Sequence, residues 1–87
     1  MPKFRHRDRI TIFTEILKAA KESERGKRKT NIMRSVNLNY HQANKYLQLL
    51  LVNGLLYKEK DDKYKPTKKG LEIMKKLEHL NLGLDIK

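Results

Sequence analysis

The sequence predicts a mainly α-helical domain with one small β-hairpin. An amphipathic helix candidate begins after Asn39 and ends at Gly54. Two short strand candidates follow it, at residues 55–60 and 63–66, and a new helix starts at Thr67. Together with two earlier helix candidates, this order is that of a winged helix-turn-helix domain. We therefore expect a three-helix core, a two-stranded wing and a C-terminal helix.

The first helix candidate begins after Asp8, a residue type that caps helix N-termini. The residues predicted to form its core face recur with helical spacing: Ile10, Phe13, Ile16, Leu17 and Ala20. Gly26 is predicted to stop this helix after a charged last turn. Residues 1–7 precede it as a basic arm, and residues 8–87 suffice for one small domain.

The second helix candidate is short and is predicted to be capped by the hydroxyl of Thr30. Its apolar face consists of Ile32, Met33 and Val36. Residues 37–39 form the turn, in which Leu38 is the apolar plug. Asn39 is the next N-cap, and Gln42 three residues later completes a box-like cap.

The third helix candidate has two different faces. Its predicted core stripe consists of Tyr40, Ala43, Leu47, Leu50 and Leu51. The predicted DNA-binding residues are His41, Gln42, Asn44, Lys45 and Gln48. Residues 30–56 include no Asp or Glu, whereas a solvated helix face usually mixes both signs of charge. Since Gln and Asn can read adenine and Lys can reach guanine or phosphate, this face suits the major groove of duplex DNA. The simpler alternative is a solvated face that happens to lack acid.

The wing is predicted to run along the DNA backbone. Gly54, in a left-handed conformation, ends the third helix before it. Its lysines outnumber its acids by only one: Lys58, Lys60, Lys63 and Lys65 against Glu59, Asp61 and Asp62. We expect these lysines to contact phosphate while the acidic tip stays outside the groove. Arg28, Lys29 and Thr30, at the start of the second helix, are predicted to contact the backbone as well. Pro66 lacks a backbone donor, which suits the end of an edge strand.

The C-terminal helix, from about residue 67, carries more apolar surface than one small domain can cover. One row consists of Leu71, Met74 and Leu77, and beside it lie Ile73, Leu80 and Leu84. Leu71 and Met74 are expected to close the core. Leu77, Leu80 and Leu84 are predicted to pair across the two-fold axis of a homodimer. The alternative is a tail that folds back onto the first helix.

Composition narrows the class of partner. The chain of 87 residues carries 21 Lys and Arg against 10 Asp and Glu, a formal charge of +11 that attracts polyanions. Apolar runs fall short of the roughly 20 residues that span a bilayer, so no membrane partner is expected. We expect a cytoplasmic, nucleoid-associated location. Cysteine is absent, and the three histidines lie in separate segments without metal-ligand spacing. With no nucleophile motif either, we expect neither an enzyme nor a cofactor nor a metal.

The ordered motifs resemble a known family. They are Lys29-Thr30-x-Ile32-Met33, Asn37-Leu38-x-Tyr40, Tyr46-Leu47, Gly54-Leu55-Leu56, Tyr64 and Thr67-x-x-Gly70. The combination is similar to the ten-kilodalton archaeal winged helix-turn-helix DNA-binding proteins, described as predicted transcriptional regulators or small chromatin proteins. The resemblance implies DNA binding through the third helix and the wing. It also implies dimerisation through the C-terminal helix as an antiparallel coiled coil.

Two alternatives from other classes stay open at this point. The first is a protein-interaction winged helix within a larger assembly, where the positive charge serves an acidic protein. The second is RNA binding, although a helix that fits the major groove of B-form DNA does not enter the narrow one of A-form RNA.

Overall fold

The structure, a computed structural model, describes residues 7–85, with side chains described for residues 7–79. Within these residues four helices and three strands follow the order α1-β1-α2-α3-β2-β3-α4. Their bounds are α1 Arg9–Lys21, β1 Lys27–Arg28, α2 Lys29–Val36, α3 Tyr40–Val52, β2 Leu56–Lys58, β3 Lys63–Pro66 and α4 Lys68–Asp85. The predicted three-helix core, wing and C-terminal helix are confirmed.

The sheet has one strand more than the predicted two-stranded wing. Its order is β1-β3-β2, and both pairings are antiparallel. Since β3 is the central strand, the expectation that Pro66 ends an edge strand was wrong. Pro66 is instead the last residue of the central strand, opposite Leu56 and beyond the two-residue reach of β1.

Gly26 explains why β1 lies where it does. The prediction that Gly26 stops α1 was wrong, because α1 ends at Lys21 and is capped by Glu22. Gly26 instead adopts a φ of +89° directly before β1, and a Cβ there would lie 2.8 Å from the carbonyl oxygen of Tyr64. The residue thus lets the chain turn and pass close against β3.

The helix-turn-helix segment forms as its caps predict. Asn37 adopts a left-handed conformation with φ of 60°, and Leu38 is buried in the turn. The Oδ1 of Asn39 accepts a hydrogen bond of 2.7 Å from the backbone N–H of Gln42. The Oε1 of Gln42 accepts one of 3.0 Å from the backbone N–H of Asn39, which completes the capping box. Thr30, however, is not the cap of α2: the N-cap is Arg28, one residue before the helix starts.

The core lies where α1, α2 and α3 meet the base of the sheet. Its largest fully buried side chains are Ile16, Leu17, Ile32, Leu47 and Leu50. Two predicted core residues lie outside it, because Ile10 is 49% and Tyr40 63% exposed. Ile10 is about 120° around the helix from Ile16. Tyr40 is the first residue of α3, where side chains point back beyond the helix end and away from the core.

Helix α4 closes the domain from the far side of α1. The Oγ1 of Thr67 accepts a hydrogen bond of 2.9 Å from the backbone N–H of Gly70 and so caps the helix as predicted. Met74 is only 2% exposed and Leu71 is half-buried, which confirms that this row completes the core. Leu77 is half-buried as well. The predicted dimerisation residues Leu80 and Leu84 lie outside the residues whose side chains are described.

Candidate nucleic-acid interface

The exposed face of α3 carries the residues that the sequence singled out. His41, Gln42, Lys45 and Gln48 are exposed, and Asn44 is half-buried at one edge of this face. The Nζ of Lys45 lies 5.6 Å from the centroid of the Tyr46 ring, a cation-π distance. Among the described residues, Lys45 has no carboxylate within ion-pair distance. This surface therefore offers amide groups and one cation whose charge is not neutralised.

Lys29 connects the start of α2 to the edge of α3. Its Nζ donates a hydrogen bond of 2.5 Å to the Oδ1 of Asn44. The same ammonium lies 4.9 Å from the centroid of the Tyr40 ring. Lys29 is half-buried, so its charge is held against α3 and is less available to a phosphate than sequence reasoning expected.

A groove brings together two of the segments that were predicted to contact the DNA backbone. It is lined by Arg28, Lys29, Thr30, Lys58, Asp62 and Tyr64. Strand β1 produces this proximity, because Arg28 pairs with Lys63 of the wing. Sequence reasoning missed β1, which has only two residues. The sequence signal that could have indicated β1 is the glycine directly before the basic pair Lys27-Arg28. A strand candidate of alternating Lys and Tyr, at residues 63–65, was available to pair with it.

Most of the wing lysines are paired with wing acids. The Nζ to carboxylate distances are 3.8 Å for Lys58–Asp62, 3.7 Å for Lys63–Asp61 and 3.8 Å for Lys65–Glu59. Lys60, at the exposed tip, has no such partner among the described residues. The loop bends where Asp62 adopts a φ of 64°. The acids of the wing thus lie beside its lysines, and the position of the acidic tip outside the groove of DNA stays a prediction.

Arg7 does not extend freely as the last residue of a basic arm. Its guanidinium forms an ion pair with Glu15 of α1. It also donates hydrogen bonds of 2.8 Å to the carbonyl oxygen of Val36 and 3.3 Å to that of Asn37. Arg7 therefore fastens the turn between α2 and α3 to α1, a role that sequence reasoning did not anticipate.

Neither a membrane span nor a metal site occurs in the described part of the chain. None of its helices combines the length and the apolar character that a membrane span requires. In the same residues, no three His, Cys, Asp or Glu side chains are grouped so that they could hold a metal ion.

This architecture, with a capped helix-turn-helix and a wing beside it, defines a winged helix-turn-helix protein. A family model described as winged helix-turn-helix matches residues 6–83, so the chain belongs to this family. Both the fold class and the family predicted from sequence are confirmed.

Two relatives, both archaeal, are similar to it. The crystal structure of Sso10a-2, a DNA-binding protein from Sulfolobus solfataricus, superposes with a TM-score of 0.75 at 28% identity. That match covers 91% of this chain and 83% of Sso10a-2. The uncharacterized protein MJ0290 of Methanocaldococcus jannaschii is 39% identical over 74 residues, or 85% of this chain. The match covers only 34% of MJ0290, so this chain spans about a third of that relative's length.

Proposed function

We propose that this protein binds double-stranded DNA, with α3 in the major groove and the wing along the backbone. The observation that carries the proposal is the exposed face of α3, which joins amide groups to the cation of Lys45. Lys45 has no ion-pair partner among the described residues, and residues 30–56 include no Asp or Glu. A major groove presents donors and acceptors that such side chains can read. The likeness to Sso10a-2, whose description is that of a DNA-binding protein, supports the same function.

The contacts to phosphate are proposed on both sides of α3. Arg28 and Thr30 are exposed at the start of α2, next to the wing. Lys60 projects at the wing tip, and Lys58, Lys63 and Lys65 would exchange their acidic partners for phosphate oxygens. Lys29 would attract nearby phosphates through its charge while its ammonium stays hydrogen-bonded to the Oδ1 of Asn44. Such contacts fix the position of a protein on the duplex and carry no sequence information.

The biological role that fits duplex binding is that of a transcriptional regulator or a small chromatin-associated protein in the nucleoid. Binding, and not catalysis, is the activity we propose. The protein would need no cofactor for it, because every proposed contact is a hydrogen bond or a charge interaction with the nucleic acid itself.

We also propose that the protein acts as a homodimer. Met74 closes the core, while Leu77 is only half-buried three residues later. Helix α4 continues through Gly83 to Asp85, so the helix that would contact a second copy is not interrupted at Gly83. Leu77, Leu80 and Leu84 would form the contact. Recognition helices of a two-fold dimer must lie about 34 Å apart to enter successive major grooves, and an interface on α4 leaves α3 free for this.

Titration of the purified protein against random duplex DNA and structured RNA, at several salt concentrations, tests the function. Duplex DNA should win the competition, and log affinity should fall linearly with log salt, with a slope of about 0.9 for each phosphate contact. Preference for RNA would favour the RNA-binding alternative. Absence of salt-dependent binding to either would favour a protein-interaction module.

The homodimer is tested by sedimentation of the protein and of the double variant Leu80→Lys/Leu84→Lys. The unmodified protein should sediment as a dimer and the variant as a folded monomer, since lysine pairs cannot pack across a two-fold axis. Loss of the link between half-sites should lower DNA affinity on the order of 100-fold or more. An unmodified protein that is already monomeric at micromolar concentration would refute the dimer and favour a tail folded back onto α1.

A further inference from the structure

Two of the three amide side chains on α3 have their oxygen atoms held inside the protein. The oxygen of Gln42 accepts from the backbone N–H of Asn39, and the oxygen of Asn44 accepts from the ammonium of Lys29. A backbone N–H and an ammonium group can only donate hydrogen bonds. The partner atom must therefore be the oxygen in both cases, so the orientation of each amide is set by chemistry.

Each oxygen has one lone pair engaged in this way, whereas the amide nitrogens have no partner among the described residues. The Nδ2 of Asn44 makes no hydrogen bond among the described residues, and no unsatisfied side-chain nitrogen or oxygen is buried there. This nitrogen thus reaches the surface, as does that of the exposed Gln42. Asn44 and Gln42 lie about 160° apart around α3, on the two edges of its exposed face. Gln48 lies between them, and its amide has no partner within the described residues.

The geometry points to different base preferences for different amides of α3, an inference that rests on the proposed binding of duplex DNA. Asn44 and Gln42 present N–H donors and read bases whose major-groove edge carries only acceptors. Those bases are guanine, with O6 and N7, and thymine, with O4. Adenine and cytosine both place an amino group there, which would meet the N–H of the amide donor to donor, although adenine keeps N7 as an acceptor beside it. Lys29 is the positioning residue that imposes this choice on Asn44.

The usual adenine contact of Asn or Gln explains the consequence for specificity. It needs the amide oxygen and nitrogen side by side against N6 and N7 of the base. Gln48, whose oxygen is not held by the protein, can turn to make this contact. Asn44 and Gln42 each have one oxygen lone pair engaged and an amide plane fixed by Lys29 or by the cap of α3, so turning to make this contact costs them a hydrogen bond. Of the three amides, Gln48 is therefore the one that we propose for an adenine contact.

Selection of bound sequences from a randomised duplex library tests the inference with three variants. Asn44→Ala identifies the position that Asn44 reads, because preference for guanine or thymine is lost there. Lys29→Met keeps the aliphatic stem of the side chain and removes the donor, so the amide can turn. Discrimination against adenine and cytosine at that position should then fall about two- to tenfold, the range of one hydrogen bond.

Lys60→Met is the matched control, since it removes the same single charge from a lysine that holds no amide. It should lower overall affinity as Lys29→Met does and leave the base preference at the Asn44 position unchanged. Thermal unfolding of each variant shows that the fold is kept. In the free protein, NMR relaxation should report greater mobility of the Asn44 side-chain amide in Lys29→Met and unchanged mobility in Lys60→Met.

Three results would overturn the inference. The first is a base preference at the Asn44 position that survives Lys29→Met unchanged. The second is a preference for adenine there in the unmodified protein. The third is unmodified protein that binds duplex without base preference, which would refute base reading and leave the proposed function intact. Failure to bind duplex at all would instead refute the proposed function, and the inference with it.

Discussion

Helix α3, the proposed recognition helix, and the wing both carry lysines, but the two regions hold their charge differently. Lys45 on α3 lies against the ring of Tyr46 and has no carboxylate nearby in the described part of the chain. Three of the four wing lysines lie 3.7 to 3.8 Å from a wing acid. The helix therefore presents a charge that is ready for DNA, whereas the wing must first exchange partners.

Formal charge is thus a poor measure of the charge that a ligand meets. An exposed ion pair contributes only about 0 to 1 kcal/mol, so phosphate can displace the carboxylate, yet the displaced acid stays close and repels the backbone. The charge of +11 remains a sound indication of a polyanionic partner. The two regions should nevertheless contribute to affinity in different ways. Base contacts are expected from α3, and a weak, salt-sensitive contribution from the wing.

The largest expected effect is the loss of the recognition face. The double variant Lys45→Ala/Gln48→Ala should keep the fold, because both side chains are exposed and neither takes part in a cap. Each lost base contact on a specific site should cost about 1 to 3 kcal/mol of binding free energy. Fluorescence anisotropy against a selected duplex measures this. We leave Gln42 unchanged, since its oxygen completes the capping box.

Lys75→Ala provides the control for charge, because this exposed lysine lies on α4 and its removal lowers the net charge by the same amount. Its affinity should stay within the small change that one distant charge produces. If the control weakens binding as much as the α3 double variant does, α3 is not the recognition helix and binding depends on net charge alone.

The next effect concerns the cap that orients α3. Asn39→Ala removes the side chain that accepts from the N–H of Gln42 and should cost about 1 kcal/mol of unfolding free energy. For a domain of this size, that corresponds to a melting temperature lower by roughly 4 to 8 °C. Asn39→Ser, which keeps a capping oxygen, should melt close to the unmodified protein. Equal melting of all three would contradict the role of the capping box.

The helix-turn-helix could be predicted from sequence because its signals are local. Asn39 and Gln42 are three residues apart and satisfy each other, and Leu38 is buried in the turn directly before them. Thr67 likewise caps α4 through its near neighbour Gly70. The burial of α3 followed from periodicity, apart from Tyr40 at its first position, where the helical stripe no longer faces the core.

Three features that sequence reasoning missed depend on pairs that are distant along the chain. Strand β1 exists only because β3 offers it a partner nearly 40 residues later. The contacts of Arg7 with Val36 and Asn37 span 29 and 30 residues. The hydrogen bond from Lys29 to Asn44 spans 15. Helical spacing correctly placed Asn44 on the polar side of α3, but it could not show which atom of its amide remains free.

The smallest expected effect would show whether the wing lysines reach phosphate at all. Asp61→Asn/Asp62→Asn releases Lys63 and Lys58 and should leave the stability nearly unchanged, since asparagine tolerates the positive φ of residue 62. Affinity for random duplex should rise, and the salt slope should steepen by up to about 0.9 for each lysine that gains a phosphate. Glu24→Gln/Glu72→Gln removes two exposed charges that take no part in these ion pairs and is the matched control. If both double variants change the slope equally, the wing contributes only to the general field of the protein, and the interface is confined to α3 and the start of α2.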